Sequence, residues 1–86
     1  LLEKRLCACF NVIPGMQSVC FWPPKTGEFE EANEAILIIK SIESKYQEIE
    51  DEVGKIHPSD TPCIFSWKID HVAPKYYEWL KGEIEI

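Results

Sequence analysis

The 86-residue chain is about half the length of a typical domain, so we expect a single domain over residues 1–86; its 45% hydrophobic content excludes an intrinsically disordered chain. Fifteen acidic against nine basic residues give a net charge of −6, which disfavours nucleic acid as a partner. Apolar runs such as Ala35–Ile39 are too short to span a membrane, and no secretory leader opens the sequence. We therefore expect a cytoplasmic protein without a membrane partner.

The N-terminal half predicts two strands joined by a turn. Leu1–Leu6 resembles the last turns of a helix, which leads us to expect that an N-terminal segment is missing. Leu6–Ile13 follows as a strand that is apolar on both faces, and Pro14-Gly15 interrupts it as a bend or bulge. Extended structure resumes over Met16–Trp22 and ends in a turn at Pro23–Gly27.

The middle of the chain changes from strand to helix. Glu28–Glu34 fits either strand or loop, and Ala35–Ile42 predicts a strand that only Lys40 prevents from being apolar throughout. Ser44 and Gln47 have the spacing of a capping box. A helical stripe follows and ends at His57, before Pro58; its members are Tyr46, Ile49, Val53 and Ile56.

The C-terminal third predicts a strand and a short helix. Cys63–Ile69 alternates, with Cys63, Phe65, Trp67 and Ile69 on one face. Pro74 suits the first turn of a helix that Gly82 closes, and Glu83–Ile86 fits a short terminal strand.

This order of elements predicts an α/β (α+β) fold, a ferredoxin-like antiparallel sandwich whose first strand is missing. The helices would cover one face of the sheet. Because the strands are apolar on both faces, we expect oligomerisation to cover the other face.

Few residues carry candidate chemistry. The four cysteines lack the spacing of a zinc site, and without a secretory signal we expect reduced thiols. His57 ends a helix in a segment with two prolines, where it either caps the helix or, with Asp60, binds a ligand. Lys40 must snorkel, pair with a carboxylate or meet a bound anion. Trp22 either packs in a core or forms the floor of a pocket.

No catalytic motif supports an enzyme. The chain has no Gly-rich phosphate loop, no GxSxG and no HExxH. A Cys–His nucleophile pair is the only catalytic alternative that the residues leave open, because such partners meet only in space. We expect a non-enzymatic protein.

Five segments, in order and at fitting intervals, resemble the CutA family of divalent-cation tolerance proteins. Leu6–Gly15 resembles the family's LAACVNIIPG, and Ser18–Trp22 its S-x-Y-x-W. Glu34–Ser41 resembles EVLLIIKT, His57–Pro62 resembles HPYExP, and Tyr76–Leu80 resembles Y-L-x-W-L. The resemblance extends from Leu1 to about Glu83.

The resemblance implies a tightly packed, PII-like homotrimer with a cleft between subunits, and a link to copper tolerance and copper binding. No cofactor is implied as obligatory; copper or another divalent cation is the expected ligand. The implied metal ligands are Cys9 and His57, with Asp60 a weaker candidate, because thiolate and imidazole suit copper. The implied residues of the intersubunit cleft are Trp22, Lys40, Tyr76 and Trp79.

This chain also departs from the family pattern. Ser59 and Asp60 replace the tyrosine and glutamate of HPYE, and Pro23-Pro24 replaces a polar turn. Cys7 occupies an alanine position and Cys20 a tyrosine position, so these two thiols are additions. Two functions remain open: a trimeric cation-binding protein, or a PII-like signalling or scaffold trimer whose cleft binds a small anion or a protein partner.

Overall fold

Two long strands and two helices form the described part of the protein, a computed structural model covering residues 1–85. In chain order they are β1 (Cys9–Phe21), β2 (Phe29–Lys40), a 3₁₀ turn (Glu43–Lys45), α1 (Tyr46–Ile56) and α2 (Pro74–Ile84). The two strands form an antiparallel two-stranded sheet, which makes the fold a mixed α/β arrangement. No helix within residues 1–85 is long and apolar enough to cross a membrane.

The β1–β2 hairpin confirms the predicted strands, bulge and turn. The ladder extends from the pair Cys9–Lys40 to the pair Phe21–Phe29, with an irregularity between Ile13 and Met16. There Pro14 and Gly15 of β1 oppose Ala35 alone, and Gly15 adopts the left-handed region at φ 77°. Glu28–Glu34, which the sequence left open between strand and loop, belongs to β2 from Phe29 onward.

The bulge determines which side chains share a face. β1 has one extra residue at the bulge. Before the bulge, the odd-numbered residues of β1 lie on the same face as Cys9; after it, the even-numbered residues lie on that face. The opposite face is therefore apolar towards both ends, and the polar residues Gln17, Glu31 and Asn33 lie between the two apolar groups. From one end of the hairpin to the other it includes Phe10, Val12, Val19 and Phe21 of β1 with Phe29, Leu37 and Ile39 of β2. We call this surface the apolar face.

Leu1–Leu6 forms a turn with the hydrogen-bond pattern that closes many helices. The Leu6 N–H donates to the Leu1 carbonyl at 3.1 Å, and the Arg5 N–H donates to the Leu2 carbonyl at 2.9 Å. Arg5 takes the left-handed conformation expected at this point of the motif, with φ 52°. The predicted helix end thus has the structure of a helix-closing turn.

Two neighbouring side chains bind this N-terminal turn to both helices. Lys4 Nζ lies 2.8 Å from Glu52 Oε1 of α1, and Arg5 donates to the Glu83 carbonyl of α2 at 2.6 Å. A small core involves the N-terminal turn, the residue that follows it and both helices. Its buried residues are Leu6, Cys7, Ile49, Leu80 and Ile84.

Two local predictions were wrong near the helix termini. Ser44 does not cap a helix, because it lies inside the 3₁₀ turn and α1 begins after Lys45 without a side-chain cap. The Gln47 amide instead donates forward to Glu50 at 2.9 Å and Asp51 at 3.1 Å. The terminal strand predicted at Glu83–Ile86 is wrong for residues 83–85, because α2 continues through Gly82 to Ile84; Ile86 lies outside the described residues.

The predicted strand at Cys63–Ile69 was also wrong. A strand needs a neighbour for its ladder, and within residues 1–85 the only ladder joins β1 to β2. The alternation nevertheless remains visible, because the rings of Phe65 and Trp67 contact each other with centroids 5.3 Å apart. Both are exposed, so this alternating segment leaves an apolar stripe in solvent.

The contact of the N-terminal turn with α1 should give the protein an acid-sensitive component of stability. Hydrogen bonds from Lys4 and Lys55 lower the pKa of Glu52 from its ordinary 4.5. A carboxylate whose pKa is lower in the folded than in the unfolded protein stabilises the fold fully at pH values above its ordinary pKa. This stabilisation is lost as the pH falls through the lower pKa of the folded state. We expect Glu52→Gln to reduce the urea midpoint at pH 7, and the difference from wild type to disappear in the acid range.

Glu78→Gln is the matched control, because Glu78 is an exposed carboxylate of α2 that forms no ion pair within residues 1–85. An equal effect in both variants, or a Glu52→Gln difference that does not change with pH, would contradict the prediction.

Candidate functional site

One end of the hairpin brings a lysine, two aromatic rings and a thiol together. Lys40 is the last residue of β2 and lies directly opposite Cys9, the first residue of β1. Its Nζ lies 6.0 Å from the centroid of the Tyr76 ring, and the Tyr76 and Trp79 rings are 5.7 Å apart. We call Cys9, Lys40, Tyr76 and Trp79 the lysine–aromatic cluster.

The start of α2 positions the aromatic half of this cluster. Pro74 occupies the first turn, where its missing N–H costs no hydrogen bond and its fixed φ suits a helix. Tyr76 and Trp79 are three residues apart and so lie on neighbouring turns of one helix face. Leu80, next to Trp79, is buried in the core and fixes the rotation of the helix. The two rings are therefore held close to the end of β2.

Lys40 is half-buried and forms no salt bridge with any residue in the range 1–85. The sequence left three outcomes open for it: snorkelling, pairing with a carboxylate, or contact with an anion. The structure gives a cation–π contact at the outer limit of the useful range. The ammonium group thus remains available to an anionic ligand.

The two N-terminal cysteines have different environments. Cys7 is buried, with 2% of its surface exposed, and burial raises the pKa of its thiol above the ordinary 9.0. Cys9 is half-buried and makes only a long contact to the Phe10 carbonyl, at 3.9 Å. Cys20 and Cys63 are exposed, and none of the four forms a disulfide. Cys9 is therefore a partly accessible thiol at the edge of the lysine–aromatic cluster.

His57 and Asp60 lie in an exposed loop that leaves α1. His57 ends the helix, and its backbone N–H donates to the Val53 carbonyl at 3.0 Å. Its Nδ1 accepts the Ser59 N–H at 3.0 Å, and the Thr61 N–H donates to Ser59 Oγ at 3.2 Å. Each predicted role of His57 therefore has structural support. The imidazole organises the end of the helix and the loop, and its Nε2, which has no hydrogen-bond partner within residues 1–85, is free to bind a ligand.

Within one chain, neither set of predicted site residues comes together completely. Trp22 follows the last residue of β1, at the opposite end of the ladder from Lys40. The 12 residues of β2, at about 3.3 Å each, separate them by roughly 40 Å. In residues 1–85, no three or more His, Cys, Asp or Glu side chains form a group that could hold a metal ion. The predicted ligands Cys9, His57 and Asp60 therefore do not constitute a metal site within a single chain.

One feature of the surface was not singled out from the sequence. Phe21 and Phe29 form an exposed aromatic pair, with ring centroids 5.1 Å apart, at the far end of the hairpin. Only the register makes them neighbours, so the turn length between the strands was the available signal.

Comparisons with known proteins agree on one family. Residues 1–83 match the CutA1 divalent ion tolerance protein family. The divalent-cation tolerance protein CutA of Thermotoga maritima is 39% identical over 98% of this chain and 79% of its own length. The chloroplastic protein CutA of Arabidopsis thaliana is 33% identical over 95% of this chain, which spans 43% of that relative.

A solved structure matches the fold closely. It is that of the periplasmic divalent cation tolerance protein CutA from Archaeoglobus fulgidus, with a TM-score of 0.90 and 34% identity. The match covers 98% of this chain and 78% of the other. The arrangement of hairpin and helices is therefore shared with that protein.

The hydrogen bond to His57 Nδ1 predicts the tautomer of this imidazole. An Nδ1 that accepts a hydrogen bond carries no proton, so neutral His57 should have its proton on Nε2. We expect long-range ¹H–¹⁵N correlations at pH 8 to assign the Nε2–H form. Ser59→Pro, which removes the donor N–H, should return His57 to the tautomer mixture shown by His71. Finding the Nδ1–H form in the wild-type protein would contradict the bond.

Proposed function

The chain belongs to the CutA1 family of divalent ion tolerance proteins, and from this premise we propose that it acts as a trimeric, cation-binding tolerance protein. Copper is the cation that its donor atoms suit best, since thiolate and imidazole both favour copper. The proposed ligands are Cys9 and His57, with Asp60 as a weaker third. The proposed role is non-enzymatic.

The observation that carries the proposal is a hairpin exposed on both faces. Val19, Phe21 and Phe29 of the apolar face have 60%, 70% and 72% of their surface exposed. On the other face, Ile13, Ile36 and Ile38 are exposed as well. An exposed apolar surface of this kind is unfavourable in water and typical of protein interfaces. Association of identical chains would bury it, and a ferredoxin-like trimer is the form that we propose.

The proposed assembly would also allow a cation site shared between subunits. The candidate ligands are accessible, since His57 and Asp60 are exposed and Cys9 is half-buried. Because the described residues of one chain lack a group of three donors, the proposed site lies between subunits. His57 would bind through Nε2, since Nδ1 already accepts the Ser59 N–H. We retain the cytoplasm as the proposed location, although the relatives include proteins named as periplasmic and chloroplastic.

A second function is favoured by one specific observation, the ammonium group of Lys40 without a carboxylate partner in residues 1–85. In this PII-like alternative, a cleft between subunits binds a small anion, or a protein partner, as a signal. Tyr76 and Trp79 would line the cleft beside Lys40, and Trp22 would come from a neighbouring subunit. An anion would gain both the charge of Lys40 and a partly apolar environment.

The cation-binding function is tested by mass and by metal titration on the same reduced protein. We expect light scattering to give three times the chain mass of 10.0 kDa. Zn²⁺ serves as the divalent probe because free thiols reduce Cu²⁺. Loss of one ligand should weaken Zn²⁺ binding at least tenfold in Cys9→Ser and in His57→Ala, measured by competition with a chromophoric chelator.

Cys20→Ser is the matched control, because it removes an exposed thiol that is not among the proposed ligands. A monomeric mass would contradict the trimer. Zn²⁺ affinity that is equal in all three variants and the wild type would contradict the proposed ligands.

The alternative function is tested with metal-free protein and simple anions. We expect inorganic phosphate or succinate to change the tryptophan fluorescence of the wild type, since Trp79 belongs to the lysine–aromatic cluster. Lys40→Met should abolish the change, while Lys68→Met, at an exposed lysine, should retain it. A response that persists in Lys40→Met, or none in the wild type, would contradict the alternative.

A further inference from the structure

The lysine–aromatic cluster holds an ammonium group beside two aromatic rings that are still partly open to solvent. Lys40 Nζ lies 6.0 Å from the centroid of the Tyr76 ring, and the centroids of Tyr76 and Trp79 are 5.7 Å apart. The planes of the two rings are tilted by 45°, so the rings are not stacked face to face. Tyr76 has 39% of its surface exposed and Trp79 has 46%. Both rings are therefore accessible to a further flat group.

The ammonium group of Lys40 defines the charge of a fitting ligand. Within residues 1–85 it forms no salt bridge, and its contact with Tyr76 lies at the outer limit for a cation–π interaction. A carboxylate would replace this weak contact by a charge-assisted hydrogen bond, which is roughly twice as strong as a neutral one. Since the chain has a net charge of −6, an anion with a single charge is favoured over a phosphate ester with two.

The charged residues of α2 beside the cluster offset each other. Lys75 precedes Tyr76 and Glu78 precedes Trp79, and both are exposed. Residues one position apart on a helix do not face each other, and these two charges have opposite sign. The charge next to the two rings therefore comes from Lys40.

The distance between the ammonium group and the rings defines the shape of the ligand. Aromatic rings pair favourably with their centroids about 4.5–7 Å apart, in offset or edge-to-face arrangements. The Lys40 ammonium group lies at a similar distance from the Tyr76 ring. A ligand that places a carboxylate at Lys40 must therefore carry its own ring close to that carboxylate, as benzoate does, because a long linker would carry the ring past both side chains.

We propose that the lysine–aromatic cluster binds small aromatic carboxylates, with the carboxylate at Lys40 and the flat ring against Tyr76 and Trp79. The proposal rests on the anion-binding alternative above and deepens it, because it names the class of anion that the cleft would take. It requires no metal ion, so it is independent of the cation-binding function.

The experiment compares three matched probes on the metal-free, reduced, assembled protein. Saturation-transfer NMR with benzoate as the observed ligand gives its Kd, and the other compounds are measured by competition. Cyclohexanecarboxylate keeps the charge but lacks the flat ring, and we expect it to bind about fivefold more weakly. Benzamide keeps the ring but lacks the charge, and we expect it to bind about tenfold more weakly. Succinate and inorganic phosphate should also compete about tenfold less well than benzoate, since neither has a ring to place against the cluster.

Two variants assign the two preferences to their side chains. Lys40→Met should remove the preference for benzoate over benzamide, and Trp79→Leu should remove the preference for benzoate over cyclohexanecarboxylate. Lys68→Met and Trp67→Leu are the matched controls, because they change an exposed lysine and a tryptophan that is 80% exposed, both outside the cluster. Both controls should retain both preferences.

The outcomes separate this proposal from the alternative function on which it rests. Equal affinity of the wild type for all three probes overturns the proposal, and this arm needs no variant to fold. A preference for benzoate over benzamide that persists in Lys40→Met overturns it too. Binding of succinate or phosphate without a preference for benzoate overturns the aromatic ligand class but supports the anion-binding alternative. Absence of binding by every anion overturns both.

Discussion

The antiparallel register between β1 and β2 is the constraint on which the other features of this structure depend. It opposes Cys9 to Lys40 at one end and Phe21 to Phe29 at the other, over a ladder that only the Gly15 bulge interrupts. A slip of one residue would move every side chain of a strand to the opposite face. The pairing of Cys9 with Lys40, the separation of Lys40 from Trp22 and the apolar face are all consequences of this single alignment.

The same alignment divides the proposed chemistry between different places. Cys9 and Lys40 share one end of the hairpin, whereas His57 and Asp60 lie in a loop beyond α1. A single chain therefore offers thiols and a cation–π contact at one place and an imidazole at another. The proposed divalent site and anion cleft consequently depend on assembly.

The sequence predicted the elements that local chemistry controls. Pro14-Gly15 and Pro23–Gly27 have strong backbone preferences, and the predicted bulge and turn are confirmed. Features that depend on distant partners could not be predicted. Cys63–Ile69 alternates like a strand but forms no ladder in the described residues, and Gln47 has the spacing of a cap but binds Glu50 and Asp51. At the site, the residue types were predictable, while their distances depend on the register and on the rotation of α2.

The bulge at Pro14 and Gly15 also constrains how this hairpin can change in length during evolution. Removing one residue at the bulge would leave Cys9–Ile13 in place but shift Met16–Phe21 by one position in the ladder. Val19 and Phe21 would then exchange faces with Ser18 and Cys20. Val19 and Phe21 would then lie on the opposite side of the ribbon from Phe10 and Val12. Insertions and deletions in the hairpin should therefore be tolerated as matched pairs across the two strands, whereas single-residue changes would distribute the apolar side chains of β1 over both faces.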